Sequence, residues 1–93
     1  MVEGACRIDV WLWRARLCKT RSLAGAVADA GRIRLTRGGE AGRADKASRA
    51  IKIGDELIFA HAGHLIAVRV EALGLRRGPA SEARALYTVL EDR

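Results

Sequence analysis

Between Ile8 and Leu35 the spacing of apolar residues changes twice, and this constrains the fold more than any single motif. Ile8, Trp11, Leu12 and Ala15 recur at i, i+3, i+4 and i+7, the stripe of a helix with one face on a core. After a break at "LCKT", Leu23, Ala26, Val27 and Ala30 repeat that period. From Arg32 the run "RIRL" alternates, so Ile33 and Leu35 share one face and Arg32 and Arg34 the other. These periods predict two short helices followed directly by a strand with a charged outer face.

The first helix is expected from about Ile8 or Asp9 to Arg16, with both Trp11 and Trp13 used for packing. Thr20 or Ser22 can cap the second helix, which runs to Ala30 and ends at Gly31 in a left-handed conformation. Its small residues Ala24, Gly25, Ala26 and Ala28 permit close approach of a neighbour. "TRGGEAGRADKASR" reads as a polar, Gly-rich loop, and "AIKIGDELIFA" as a strand with a turn at Gly54-Asp55. A hairpin is expected around Ala62-Gly63. After Gly78-Pro79, Ser81 caps a last helix from about Glu82 to Leu90. The fold class is therefore α+β: two short N-terminal helices packed on a small, mainly antiparallel sheet, with a short C-terminal helix.

The 93 residues are 49% hydrophobic and 30% charged with one Pro, the composition of a single globular domain, 1–93, with no room for a second catalytic unit. The net charge of +6 is uneven. Residues 1–53 hold twelve of the 17 Lys and Arg against Glu3, Asp9, Asp29, Glu40 and Asp45, whereas residues 54–93 are slightly acidic. That asymmetry points the N-terminal half at a polyanion, although surface Arg favoured by a GC-rich genome would give the same count. No apolar run approaches membrane-spanning length and the N-terminus lacks the pattern of a secretory signal, so a cytoplasmic protein without membrane contact is expected. Cys6 and Cys18 are read as free thiols, Cys18 half buried in a turn.

Lys19, Thr20, Arg21 and Ser22 stand at the start of the second helix, where unpaired backbone N–H groups and the positive dipole end receive phosphate. Arg16 projects from the last turn of the first helix. If the second helix packs back on the strand, Arg32 and Arg34 converge on the same surface, with "TRGG" at its margin. Aromatic content of 4% argues against base stacking on single strands and for phosphate and shape recognition of structured RNA. His61 and His64 lack a third ligand nearby and read as turn residues, and Asp55 and Glu56 point to opposite faces of a strand. No metal, cofactor or catalytic centre is expected.

"RIDVWLWRARLCKTRSLAGAVADAGRIRL" followed by "KASRAIKIGDEL" resembles the S-four domain, the small RNA-binding domain named after ribosomal small-subunit protein four. The likeness covers residues 7–59 and implies its alpha-L type motif, leaving 60–93 as a family-specific hairpin and C-terminal helix. "WLWRARLCKTRSLA" and "RRGPASEARALY" together look most like the ribosome-associated heat shock protein fifteen family. That resemblance implies binding of structured ribosomal RNA on the large ribosomal subunit, in recycling or rescue of stalled subunits carrying a nascent chain, with peptidyl-tRNA a further candidate partner. It implies RNA contacts at Arg7, Arg16, Lys19, Thr20 and Arg21, continued by Arg32, Arg34, Lys46 and Ser48. Two departures are visible: Thr36-Arg37 and Gly38-Gly39 stand where the family has Asn-Gly, and these residues do not include the long basic C-terminal extension of many relatives.

Three functional classes follow. A non-catalytic, monomeric RNA-binding accessory protein of translation leads. A DNA-binding protein using the helix pair predicts affinity for duplex DNA, which even the leading class allows weakly, and usually a symmetric dimer. An RNA-targeting subunit of an RNA-modifying enzyme requires a separate catalytic chain.

Overall fold

The computed structural model describes residues 4–61 and 63–90. Its elements are β1 (Ala5–Arg7), α1 (Ile8–Arg14), α2 (Arg21–Asp29), β2 (Ile33–Arg37), β3 (Glu40–Ala44), β4 (Ala50–Lys52), β5 (Glu56–His61), β6 (His64–Val70), α3 (Ala80–Arg84) and β7 (Tyr87–Val89). Antiparallel strands in the order β3-β2-β5-β6-β7 form the main sheet, and β1 pairs with β4 in a separate two-stranded sheet. The mixed α and β class with mainly antiparallel pairing is as expected. One core joins Trp11 and Leu12 of α1 to Ile33, Leu57, Phe59 and Val68 of the main sheet. β5 runs straight through residue 59, so the part resembling the S-four domain and the part after it share one sheet and one core.

The stripe of α1 is fully buried at Ile8, Trp11, Leu12 and Ala15. The helix stops at Arg14, two residues earlier than expected. Its end is a Schellman motif: the Leu17 N–H donates to the Leu12 carbonyl at 3.0 Å and the Arg16 N–H to that of Trp13 at 3.1 Å. Arg16 takes the left-handed position of this motif, with φ +60°. α2 ends the same way, with Arg32 and Gly31 donating to Val27 and Ala28, but there the left-handed residue is Gly31, which has no Cβ to strain.

Which face of α2 is buried differs from expectation. Ala24, Gly25 and Ala28 are inside and Val27 packs half-buried on the core as expected, while Leu23 is 38% exposed and Ala26 and Ala30 are exposed. The smallest residues face inward because α1 lies close and Ala47 packs on Gly25, where a methyl would sit 3.4 Å from the Ala47 Cβ. The nonpolar period alone could not tell a stripe of small residues from its larger neighbours.

The segment 36–49, expected as one loop, is mostly a hairpin. Gly38 and Gly39, at φ +60° and +84°, make a two-residue turn with both central residues left-handed, the geometry that matches the twist of paired strands. β2 and β3 therefore pair from Ile33↔Ala44 to Arg37↔Glu40. The expected last helix also changes. Only Ala80–Arg84 is helical, preceded by Pro79 with no side-chain cap from Ser81, and Tyr87–Val89 then adds a strand to β6. β1 was not expected, being three residues long. Cys18 is buried rather than half buried, and burial pushes its thiol up to about 11, which leaves it protonated and unreactive at neutral pH.

Two buried carboxylates brace the frame. Asp55 receives the Arg37 guanidinium at 2.8 and 2.7 Å and the Lys52 N–H at 2.8 Å. Burial pushes the Asp55 carboxyl up, but the Arg37 and Lys52 hydrogen bonds and the charges of Arg37 and Arg49 more than offset this, so it titrates below the ordinary value. Because the folded value is depressed, the stability it contributes is present above the unfolded value of about 3.9 and lost as pH falls below it. Asp55→Asn is expected to lower unfolding free energy at pH 6 by about 1–3 kcal/mol, allowing for the partly exposed Arg37. Urea denaturation at pH 6 and pH 3 checks this: the gap between wild type and variant should narrow at pH 3, and a pH-independent gap would contradict the assignment.

Candidate nucleic-acid interface

The N-terminus of α2 is arranged for an anion. Thr20 caps it, its hydroxyl accepting the Leu23 N–H at 3.0 Å, and the first turn carries no acidic residue. Lys19 and Arg21 stand beside this positive end, contrary to the preference of a helix dipole for negative charge there. Arg21 and Ser22 line a groove along α2 with Asp9, Gly25, Ala26 and Asp29.

The turn 45–49 borders this groove. Its Ala47 N–H donates to Asp29 at 2.7 Å, and the Ile8 and Asp9 N–H groups donate to the Arg49 and Ala47 carbonyls at 2.8 and 3.3 Å. Those bonds satisfy N–H groups at the start of α1, where Arg7 provides no side-chain cap. They also hold the exposed Lys46 and Ser48 beside α2. Arg7 pairs with Asp9 at 3.0 and 3.1 Å. Burial raises the Asp9 carboxyl, but the Arg7 and Val10 hydrogen bonds and the charges of Arg7 and Arg21 bring it below the ordinary range. Asp9 therefore stays ionised and partly neutralises Arg7.

Ion pairing separates the remaining bases. Arg37, Arg69 and Arg76 are matched to Asp55, to Glu56 and Glu71, and to Glu82. Arg14 donates to the Gly74 carbonyl, Arg77 to that of Trp13 while its guanidinium lies 5.9 Å from the Trp13 ring centre, and Arg16 to that of Gly78 at 2.7 Å. These three pin the segment 74–78 to the end of α1. By contrast Lys19, Arg21, Arg32, Arg34, Arg43, Lys46 and Arg49 have no side-chain partner among the described residues. Lys52 and Arg84 are likewise without a side-chain partner among the described residues, so most of the uncommitted positive charge, though not all, lies on α2, the β2–β3 hairpin and the turn 45–49.

Of the nine sequence-predicted positions, Arg7, Lys19, Thr20, Arg21, Lys46 and Ser48 gather around the α2 groove. Arg32 and Arg34 do not join them. They lie at the opposite end of the helix, lining a second concavity with Arg43. Arg16 is tied to Gly78. Arg43 and Arg49 are not among the positions that the family resemblance implies, and a loop reading gives them no face; reading Gly38-Gly39 as a hairpin turn places Arg43 opposite Arg34. His61 and His64 face each other at the last pair of β5 and β6. No described helix is long and apolar enough to cross a membrane.

Comparison with known proteins follows the same lines. No protein-family model matches the chain. It is 32% identical over 92 residues to the heat shock protein 15 homolog of Haemophilus influenzae, covering 99% of this chain and 66% of that one. The chain thus spans just under two thirds of that relative's length. It is 38% identical over 86 residues to the RQC P-site tRNA stabilizing factor of Bacillus subtilis, covering 92% and 93% of the two chains. The solved structure of Vibrio cholerae heat shock protein 15, described as trimeric, superposes with a TM-score of 0.78 at 30% identity, covering 92% of this chain and 82% of that one.

Arg16→Ala and Arg16→Gly both remove the bond to Gly78, but only Gly relieves the left-handed strain. Arg16→Gly is expected to be more stable than Arg16→Ala by about 1 kcal/mol in chemical denaturation. Equal stabilities would mean that Arg16 does not hold this conformation in solution.

Proposed function

The chain belongs to the family of heat shock protein 15 and the RQC P-site tRNA stabilizing factor, an RNA-binding family related to the S-four domain, and on that premise we propose that it is a non-catalytic protein that binds structured ribosomal RNA on the large subunit. Its task in this reading is the recycling or rescue of stalled subunits still carrying a nascent chain, with peptidyl-tRNA as a second partner and the cytoplasm as its place of action. The name of the B. subtilis relative, with its P-site tRNA, supports the direction of the proposal. The observation that carries it is the α2 N-terminus, where Lys19 and Arg21 add positive charge to a positive helix end with no acid in the first turn. A positive helix end of that kind is stabilised by a phosphate.

Arg7, Lys19, Thr20, Arg21, Lys46 and Ser48 are the proposed contacts in the groove. Arg16 contributes by holding the segment 74–78 and with its remaining guanidinium nitrogens. Recognition is through backbone phosphates and 2′-hydroxyls, since Trp11 and Phe59 are buried and Trp13 lies beneath Arg77.

Co-sedimentation with small subunits, empty large subunits and large subunits carrying peptidyl-tRNA tests this reading. Selective retention on the last is expected, and Lys19→Gln with Arg21→Gln should weaken it by about 2–4 kcal/mol, taking charged hydrogen bonds at roughly 1.5–3 each with some non-additivity. Equal, salt-labile binding to every particle would reduce the protein to a general RNA binder, and preference for duplex DNA would replace the reading. Sedimentation of the free chain distinguishes the monomer expected here from a trimer like that of the V. cholerae relative.

A further inference from the structure

Arg34 and Arg43 stand directly opposite each other on β2 and β3. Both are exposed, and neither has a side-chain partner among the described residues. Like charges at directly opposed strand positions destabilise a sheet. The neighbour of Arg34 on its other side is Ile58, so no acid relieves the pair within that row. Ile33 and Leu35 point into the core, which places Arg34 and Arg43 on the outer face of the sheet. Arg32 joins them at one end. The concavity between them is lined besides by Gly31, Ala41 and Gly42, which are small enough to leave room for an oxyanion beside the three arginines. The stem of Arg43 is steadied over Gly31, where an added methyl would lie 3.4 Å from its Cδ.

We infer that this notch is a second phosphate-binding point, which takes the backbone of a duplex segment of the RNA held in the α2 groove. The inference rests on the RNA-binding reading above and adds Arg43 to it. Thr20 and Gly31 mark the two ends of α2, about 16 Å apart at the helical rise of 1.5 Å per residue. The two basic points are therefore held at a fixed separation by a helix. A duplex presents phosphates at fixed separations and can meet both without further ordering. A single strand would have to be immobilised between them, and neither point has an exposed aromatic ring to offset that by stacking.

The test is fluorescence anisotropy with a labelled RNA duplex of about 16 base pairs, a length that shape-reading RNA-binding domains span, and with one of its strands alone. The full chain is compared with Arg34→Gln/Arg43→Gln, with Lys19→Gln/Arg21→Gln and with Arg84→Gln as a control outside both points. Arg34→Gln/Arg43→Gln should bind the duplex about tenfold or more weakly and lower the log–log salt slope by about 1.5, while the single strand changes less. Its melting temperature without RNA should be equal to or above that of the wild type, because the like-charge pair is gone.

A lowered melting temperature with unchanged duplex affinity would make the arginines structural and overturn the notch. Equal losses on duplex and single strand would overturn the choice of duplex. Loss of binding confined to Lys19→Gln/Arg21→Gln would remove the notch and leave the RNA-binding reading standing. A wild-type chain that binds no RNA would take down both.

Discussion

Trp11 joins parts of the chain that lie far apart in sequence. Its ring is fully buried, its indole N–H donates to the Ala72 carbonyl at 2.8 Å, and Tyr87 meets it edge-on with ring centres 6.4 Å apart. A buried tryptophan needs a partner for that N–H, and here the partner is the backbone just after β6. The same side chain thus fixes α1 against the main sheet and fixes where the chain must pass on its way to α3. The position of α2, and with it the groove, follows from the short connection out of α1.

On that frame, buried acids and backbone carbonyls determine which bases remain free. Asp55 engages Arg37, and the carbonyls of Gly74, Trp13 and Gly78 engage Arg14, Arg77 and Arg16. Each of these arginines looks, in sequence, as available to RNA as Lys19 or Arg43. The structure separates them by what lies within reach. The charge of a guanidinium is therefore no guide to its task here, because the same group braces one segment and waits for a ligand in another.

Much of this was legible in the sequence where a period or a cap carried it. The α1 stripe, a cap at Thr20 or Ser22, the Gly31 terminus and the in-out alternation of Ile33 to Leu35 follow from local rules, and the structure selects Thr20 as the cap. The buried face of α2 was misjudged because residues with little side chain give a weak pattern. The β2–β3 hairpin was hidden because Gly42 and Ala41 add almost no apolar signal, although Gly38-Gly39 marks the turn. The last strand, β7, has a helical local period, and its three residues are recruited to the sheet edge by pairing with β6. Lys19, Thr20 and Arg21 follow from the helix start, Arg7, Lys46 and Ser48 come from the family resemblance alone, and neither source points to Arg43 or Arg49.

The start of α1 also bears on the order in which the chain can become ordered. Its first N–H groups are satisfied by carbonyls of residues 47 and 49, and its central tryptophan by that of residue 72. The first helix made is thus among the last to be completed, since it depends on contacts that span more than sixty residues of sequence. The β2–β3 hairpin needs only its own twelve residues and can form early. A growing chain therefore presents the hairpin arginines before α1, on which the groove leans, has all of its contacts.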